Sequence, residues 1–294
     1  MKIDSACILE DRGILFVEGQ DAKDFLQNII TNDIEKVTEN NSCFASLLSP
    51  QGKFLFDFII IKHKKGYLID CEKAQIDELY KKLSLYKLGS KLKILNLSNE
   101  FVVVALSYEK FISMNDSQDK LGFTLKFRED AILLDPRNKK LGARLIINLE
   151  KFYLSLKKLN IKPLNQEEYY KLSYELGIVQ KNTNKLMDKI FGIECNFEEL
   201  NGIDFHKGCY VGQENTARIK LRNKLTKRLF PIRVIEGKVK EGDIIFNENL
   251  EIGKVLISEN YPFAIIKFTS EKFDFNSTLN IKEAKIKVIK PSWL

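Results

Sequence analysis

The 294-residue chain is short of several residue types, and each shortage removes a class of explanation. It holds only two histidines, which excludes a histidine-rich metal site. Its five cysteines (Cys7, Cys43, Cys71, Cys195 and Cys209) are an odd, scattered set without a C-x-x-C pair, so neither a zinc ribbon nor a thioredoxin-type site is indicated. His206 and Cys209 are near neighbours, but no third and fourth ligands stand beside them, and no metal site is expected. No window approaches the ~20 apolar residues that span a bilayer. The most apolar run, Phe54 to Ile61, is interrupted by Asp57. Met1-Lys2-Ile3-Asp4 lacks the charged-then-apolar pattern of a secretory signal, so a cytoplasmic protein without membrane attachment is expected. Arginine is scarce too: of 47 basic residues, 8 are Arg and 39 are Lys. The net charge of +7 invites a nucleic-acid or polyanion partner. Bidentate phosphate reading favours Arg, however, so basicity alone does not carry an RNA-binding function.

What remains has the composition of a globular protein, with 44% hydrophobic and 30% charged residues. The length suits two or three domains. Apolar spacing predicts a helix from Asp21, as N-cap, to about Ile30, with Ala22, Phe25, Leu26, Ile29 and Ile30 on one face. A second helix is expected over Ala74 to Leu85, with Ile76, Leu79, Tyr80 and Leu83 spaced as a stripe. Strands are expected over 14–17, 44–48, 54–61, 67–70, 91–97 and 101–106, with a turn at Ser49-Pro50-Gln51-Gly52. A hairpin folds around Asp135-Pro136-Arg137-Asn138. Helices follow over 149–159, from Asn165 as N-cap to Leu176 before Gly177, and from Gly212 or Gln213 to about Arg222. Beyond Lys227 the texture changes to short β runs punctuated by Gly237, Gly242 and Gly253, which suggests a small barrel or sandwich. The fold class is therefore α+β, with mixed or antiparallel sheets and helices. The division expected is 1–222, with subdomains 1–97 and 98–222, and a C-terminal β-barrel at 223–294.

Four features have the chemistry of a site. In His206-Lys207-Gly208-Cys209-Tyr210-Val211-Gly212-Gln213-Glu214, two glycines bracket a cysteine beside a cation and just before a helix start, where a thiolate is stabilised. The alternative is a small apolar residue in a glycine turn. Asp57 lies on the strand face shared by Leu55, Ile59 and Ile61, where a carboxylate must pair, meet a polar ligand or face water. Glu175, two residues before Gly177, is able to accept two parallel bonds from a guanidine-like N–H edge, or is a surface glutamate. The stretch from Arg218 to Arg228 is basic at six of eleven positions, which suits a polyanionic tail, RNA phosphates or a solvated helix face.

Taken in order, these pieces resemble the YgfZ family, the folate-binding branch of the aminomethyltransferase (glycine-cleavage T-protein) superfamily tied to iron–sulfur protein maturation. The resemblance rests on Lys207-Gly208-Cys209-Tyr210-Val211-Gly212-Gln213-Glu214 followed by Ala217-Arg218, the family's K-G-C-Y-x-G-Q-E…A-R motif. Weaker matches are Gly19-Gln20-Asp21-Ala22, Phe25-Leu26-Gln27, Thr31-Asn32-Asp33, Gln51-Gly52-Lys53, Asp135-Pro136-Arg137 with Gly142-Ala143-Arg144, and Tyr169 to Gly177. Departures are Ser173 for a usual Arg, Arg222-Asn223 for Arg-Gly, and Gly52-Lys53 with Phe56-Asp57 in place of the transferases' paired Gly-Gly and Asp-Asp. The last argues against a full glycine-cleavage enzyme.

The resemblance implies a T-protein-like fold around a tetrahydrofolate site, with Cys209 as the functional thiol and Asp57 near the one-carbon unit. It further implies Glu175 reading the pterin, and Lys207, Tyr210, Gln213, Glu214, Arg218 and Arg222 holding the cofactor, tetrahydrofolate or a one-carbon derivative. The partners implied are folate and iron–sulfur client or assembly proteins, tRNA-modifying enzymes among them. The rival readings are a folate-dependent one-carbon transferase and a direct tRNA-binding protein.

Overall fold

The computed structural model describes residues 5–127, 130–152, 162–222, 225–268 and 273–294. The chain divides into two compact units, each built from separate segments. Residues 1–48, 56–169 and 198–211 form the first; residues 49–55, 170–197 and 212–294 form the second. The expected boundary at 222/223 falls next to residues 223 and 224, outside the described set.

The first unit is built on two sheets. The strand order in the six-stranded sheet is Lys162–Leu164, Ser5–Ile8, Phe101–Leu106, Ala143–Asn148, Asp130–Leu134 and Thr124–Phe127. Its first pair is parallel, and the other pairs are antiparallel. A five-stranded sheet runs in the order Cys43–Leu48, Phe54–His63, Gly66–Glu72, Arg12–Gly19 and Leu92–Asn96. The strand Phe54–His63 is buried almost throughout. A carboxylate within it therefore does not sit on a solvated outer face, and Asp57 is half-buried. Helix Ala22–Ile29 buries Ala22, Phe25, Leu26 and Ile29, the stripe its spacing predicted. Asp21 does not cap it: its carboxylate accepts instead from the Lys91 backbone N–H at 2.7 Å. Helix Ile76–Tyr86 buries Ile76, Leu79 and Leu83, whereas Tyr80, expected on that stripe, is exposed.

Helix Gln166–Glu175 opens on Asn165, whose Oδ1 accepts from the Glu167 N–H at 3.0 Å. At its other end Ile178 N donates to Ser173 O and Gly177 N to Tyr174 O, with Gly177 at φ +73. This paired closure places a left-handed residue after the last turn, which glycine adopts without a Cβ penalty.

In the second unit six strands close a barrel in the order Lys227–Glu236, Phe263–Lys267, Leu250–Ile257, Ile244–Asn247, Leu279–Ile281 and Ala284–Val288. Closure removes the open sheet edges that a six-stranded sheet would otherwise expose. Its core is aliphatic (Ile232, Val255, Ile266, Ile286) around Phe230, which meets Phe268 edge-on at 5.2 Å. Helix Gln213–Leu221 also belongs to this unit. Four strands had no clear periodic signal: Ser5–Ile8, Thr124–Phe127, Lys162–Leu164 and Leu279–Ile281 are three or four residues long. Of the helix expected over 149–159, residues 153–159 lie outside the described residues.

Candidate functional site

The cysteine-bearing segment is stitched to the stretch that follows helix Ala22–Ile29. Thr31 Oγ1 donates to Gly202 O at 2.6 Å, and Asp204 N donates to Thr31 O at 3.0 Å. Asn32 Nδ2 donates to both Phe44 O and Asn201 O at 2.7 Å. Asp204 in turn accepts from His206 N at 2.7 Å and pairs with Lys36 at 2.7 Å. At the far end Val211 N donates to Asn28 O at 3.1 Å.

The central fastening is Lys207. Its Nζ donates to the carbonyls of Gln27, Ile30 and Asn32 at 2.6, 2.7 and 2.9 Å. The last carbonyls of a helix lack internal partners and carry the negative end of its dipole, so a cation there satisfies both. Lys207 is 8% exposed, and its ammonium stands 5.1 Å from the ring centre of the buried Tyr210. Burial pushes Lys207 down to about 8, while three carbonyl acceptors call for all three ammonium protons. Lys207 and Tyr210 anchor the loop: the ammonium and the ring are engaged inside the first unit.

Between these anchors Gly208 and Cys209 are exposed. The other four cysteines are buried, and burial pushes the thiols of Cys7, Cys43 and Cys71 up to about 11, 12 and 12. Cys209 is thus the thiol that the fold displays. A Cβ placed on Gly208 would meet nothing within 4 Å. The fold makes no packing demand for glycine there, which leaves close approach from outside as a use for it.

Asp57 sits beside a buried ionic cluster that the sequence reading did not assemble. Arg12 Nε donates to Asp70 at 2.7 Å, and its Nη2 donates to the Asp70 carbonyl at 2.8 Å. Arg144, from the six-stranded sheet, reaches the other carboxylate oxygen of Asp70 in the five-stranded sheet and donates to Tyr169 OH at 3.1 Å. Arg137 grips Asp135 through Nε and Nη2 at 2.9 and 2.7 Å. Burial alone would raise Asp70 and Asp135, but the arginines hold both below the ordinary carboxylate value. Asp57 goes the other way. Burial pushes it up to about 6, against the pull of Arg12, Arg137 and Arg144. Those arginines are committed to Asp70 and Asp135, and Asp57 has no hydrogen-bond partner among the described residues. Asp70 carries the same sequence signal as Asp57, a lone carboxylate in an apolar strand, here Tyr67-Leu68-Ile69-Asp70-Cys71.

The remaining predicted residues lie in the second unit. Glu175 is exposed at the C-terminal residue of its helix, where the dipole disfavours a carboxylate. Gln213 and Glu214 open helix Gln213–Leu221. Arg218 is exposed and donates to Asn215 Oδ1 at 2.8 Å, and Arg222 is exposed after the last turn. This helix is tied to the Ser49–Gly52 turn by Asn215 Nδ2, which donates to Gln51 O at 2.8 Å. Asn223 and Lys224 of the basic stretch lie outside the described residues. Among the described residues no three His, Cys, Asp or Glu side chains gather as a metal site.

The chain matches the crystal structure of the glycine cleavage system aminomethyltransferase T from Bartonella henselae with a TM-score of 0.76, over 99% of this chain and 86% of that one. At 12% identity the likeness is one of fold. It bears out the α+β class and the C-terminal barrel. No family model matches the chain.

In sequence, the chain is similar to mitochondrial homologues of the iron–sulfur cluster assembly factor IBA57. It is 29% identical to that of Dictyostelium discoideum over 264 residues, covering 81% of this chain and 64% of the relative. It is 31% identical to that of Neurospora crassa over 248 residues, covering 79% and 54%. To the IBA57 of Mus musculus it is 27% identical over 249 residues, covering 78% and 66%. The chain thus spans between about half and two thirds of the length of these relatives. These relatives are named as mitochondrial, which overturns the cytoplasmic expectation.

Proposed function

We propose that this chain is an iron–sulfur cluster assembly or repair factor of YgfZ type whose working group is the Cys209 thiol. The observation that carries this reading is the presentation of that thiol, exposed beside an unhindered glycine and held between the buried anchors Lys207 and Tyr210. The similarity to relatives named as iron–sulfur cluster assembly factors supports it. A thiolate is a cluster ligand, and clusters are held by about four such ligands. With no metal-binding group gathered among the described residues, a cluster touching Cys209 draws its other ligands from a second protein, a donor or a client. Clients that modify tRNA would then make an effect on tRNA indirect.

Tetrahydrofolate fits one observation directly: the half-buried carboxyl of Asp57, without a hydrogen-bond partner, is an acceptor waiting for a donor. Within the second unit, the family resemblance gives Glu175 the carboxylate for a pterin N–H edge, Gln213 and Glu214 polar groups, and Arg218 and Arg222 cations for an acidic tail. When bound, the folate supplies a reduced pterin and a carrier for one carbon.

In cells stripped of their own factor, the wild-type chain should restore cluster-dependent enzymes relative to a cluster-free control enzyme. Cys209→Ser should lose that restoration with unchanged thermal unfolding. Full restoration by the variant removes the cysteine from the function, and failure of the wild-type chain removes the function itself. Calorimetric titration with tetrahydrofolate tests the cofactor. Glu175→Ala should cost roughly 1.5–3 kcal/mol of affinity, the range for a bond to a charged group, and equal affinity would discard that role.

A further inference from the structure

We infer that the end of the five-stranded sheet around Gly19 is a binding site for a phosphate-bearing polyanion, a ligand class outside the cluster and folate chemistry proposed above. A groove of about 680 Å³ opens there, within the size range of small-molecule sites. Its floor is the buried Leu92, and Lys65, Lys91 and Lys93 stand exposed around it, opposed by the single lining carboxylate Glu18.

Local backbone shape makes the concavity. Strand Arg12–Gly19 ends between two neighbours, with Glu18 opposite Gly66 and Gly19 opposite Leu92. Gly19 has φ +138, and a Cβ there would lie 2.3 Å from Lys91 O. A side chain is excluded at that point, so the lysine-bearing segment 91–93 packs directly on the strand end. Asp21 holds the same segment by accepting from Lys91 N at 2.7 Å, and that engagement leaves the Lys91 side chain free.

The charge pattern decides the ligand. Elsewhere, lysines such as Lys23, Lys36, Lys139 and Lys285 each hold a carboxylate. Lys65, Lys91 and Lys93 have no ion-pair partner among the described residues, although they crowd one groove. Three lysine ammonium groups, each a point charge with rotatable donors, are better matched by one multiply charged anion than by a single carboxylate, so the match is to a polyphosphate. The groove is far larger than one phosphate and suits a chain of two or three. Among the described residues no aromatic ring lines it to stack a base, which argues against single-stranded nucleic acid.

The test is calorimetric titration of the full chain with sodium tripolyphosphate at low and physiological ionic strength. Saturable binding at one site per chain is expected, weakening as salt shortens the Debye length. The double variant Lys91→Gln/Lys93→Gln should lose roughly tenfold or more in affinity, which corresponds to about 1.4 kcal/mol. Lys285→Gln, on an ion-paired lysine of the barrel, should bind as the wild type does. Parallel titration with ATP distinguishes the source: equal affinity supports a nucleotide-borne phosphate chain, and weaker affinity supports free polyphosphate. Absence of saturable binding, several equivalent sites, tighter binding of citrate than of tripolyphosphate, or an unaffected double variant would each overturn the proposal.

Discussion

Replacing Asp57 by Asn should make this protein more stable at neutral pH, although it removes a group from the candidate site. The ordinary carboxyl value of 3.8 is raised to about 6, because burial penalises the charged form more than Arg12, Arg137 and Arg144 favour it. At about 1.4 kcal/mol per pH unit this corresponds to a penalty of about 3 kcal/mol when the carboxylate is ionised. Partial exposure reduces it, to about 1–2 kcal/mol once solvent screening is allowed for. The sign follows from linkage. The folded state binds this proton more tightly than the unfolded chain does, so stability falls as pH rises from 3.8 to about 6, and the penalty is complete above that. Urea unfolding of wild type and Asp57→Asn at about pH 8 and about pH 4 measures it. The variant should gain its advantage at the higher pH and lose it at the lower. A variant less stable at the higher pH, or a difference that does not shrink on acidification, would show that Asp57 has a native partner and refute the reasoning. A carboxylate kept at a cost to stability is a mark of function, so the stabilised variant should be the one that binds folate less well.

Three other outcomes are expected. Lys207→Met should lower the unfolding free energy by about 2–4 kcal/mol, because charge-assisted bonds to three backbone carbonyls at and just past the helix end are lost together; a loss below about 0.5 kcal/mol in denaturant titration would show that the lysine does not anchor the loop. Arg144→Met should cost about 3–5 kcal/mol, since Asp70 and Asp135 stay buried with one guanidinium fewer, and an unchanged Tm would contradict the network. In the native protein one thiol, Cys209, should react rapidly with a thiol reagent, and all five should react in urea; fast labelling of a second thiol, or a Cys209→Ser protein that still labels quickly, would contradict the burial pattern.

Where one periodicity ran long enough, the sequence was sufficient. The stripe Ala22, Phe25, Leu26 and Ile29 and the alternating runs beyond Lys227 gave a helix and a barrel because each buries a face over several residues. Short elements escaped: Ser5–Ile8 is too brief to show a period and exists as a strand only through pairing with Phe101–Leu106 and Lys162–Leu164. Asp21 shows the limit of local rules, since its carboxylate fitted a helix cap and found Lys91 instead, seventy residues away.

The same limit explains the candidate site. Thr31-Asn32-Asp33 and Lys207-Gly208-Cys209-Tyr210 stand far apart in the chain, and each was legible separately as a motif. Their connection was not, because it runs through backbone carbonyls: Lys207 Nζ bonds to those of Gln27, Ile30 and Asn32, and a carbonyl has no sequence signature. A cation beside a cysteine therefore read as a partner for the thiolate. In the folded chain its charge completes the end of helix Ala22–Ile29, and the consequence for the thiol is geometric. If that is the lysine's role, Lys207→Arg should fail to rescue, since a planar guanidinium does not present three divergent donors to three carbonyls. A Lys207→Arg protein with wild-type stability and wild-type support of cluster enzymes would show that charge near Cys209 matters more than the anchoring of its loop.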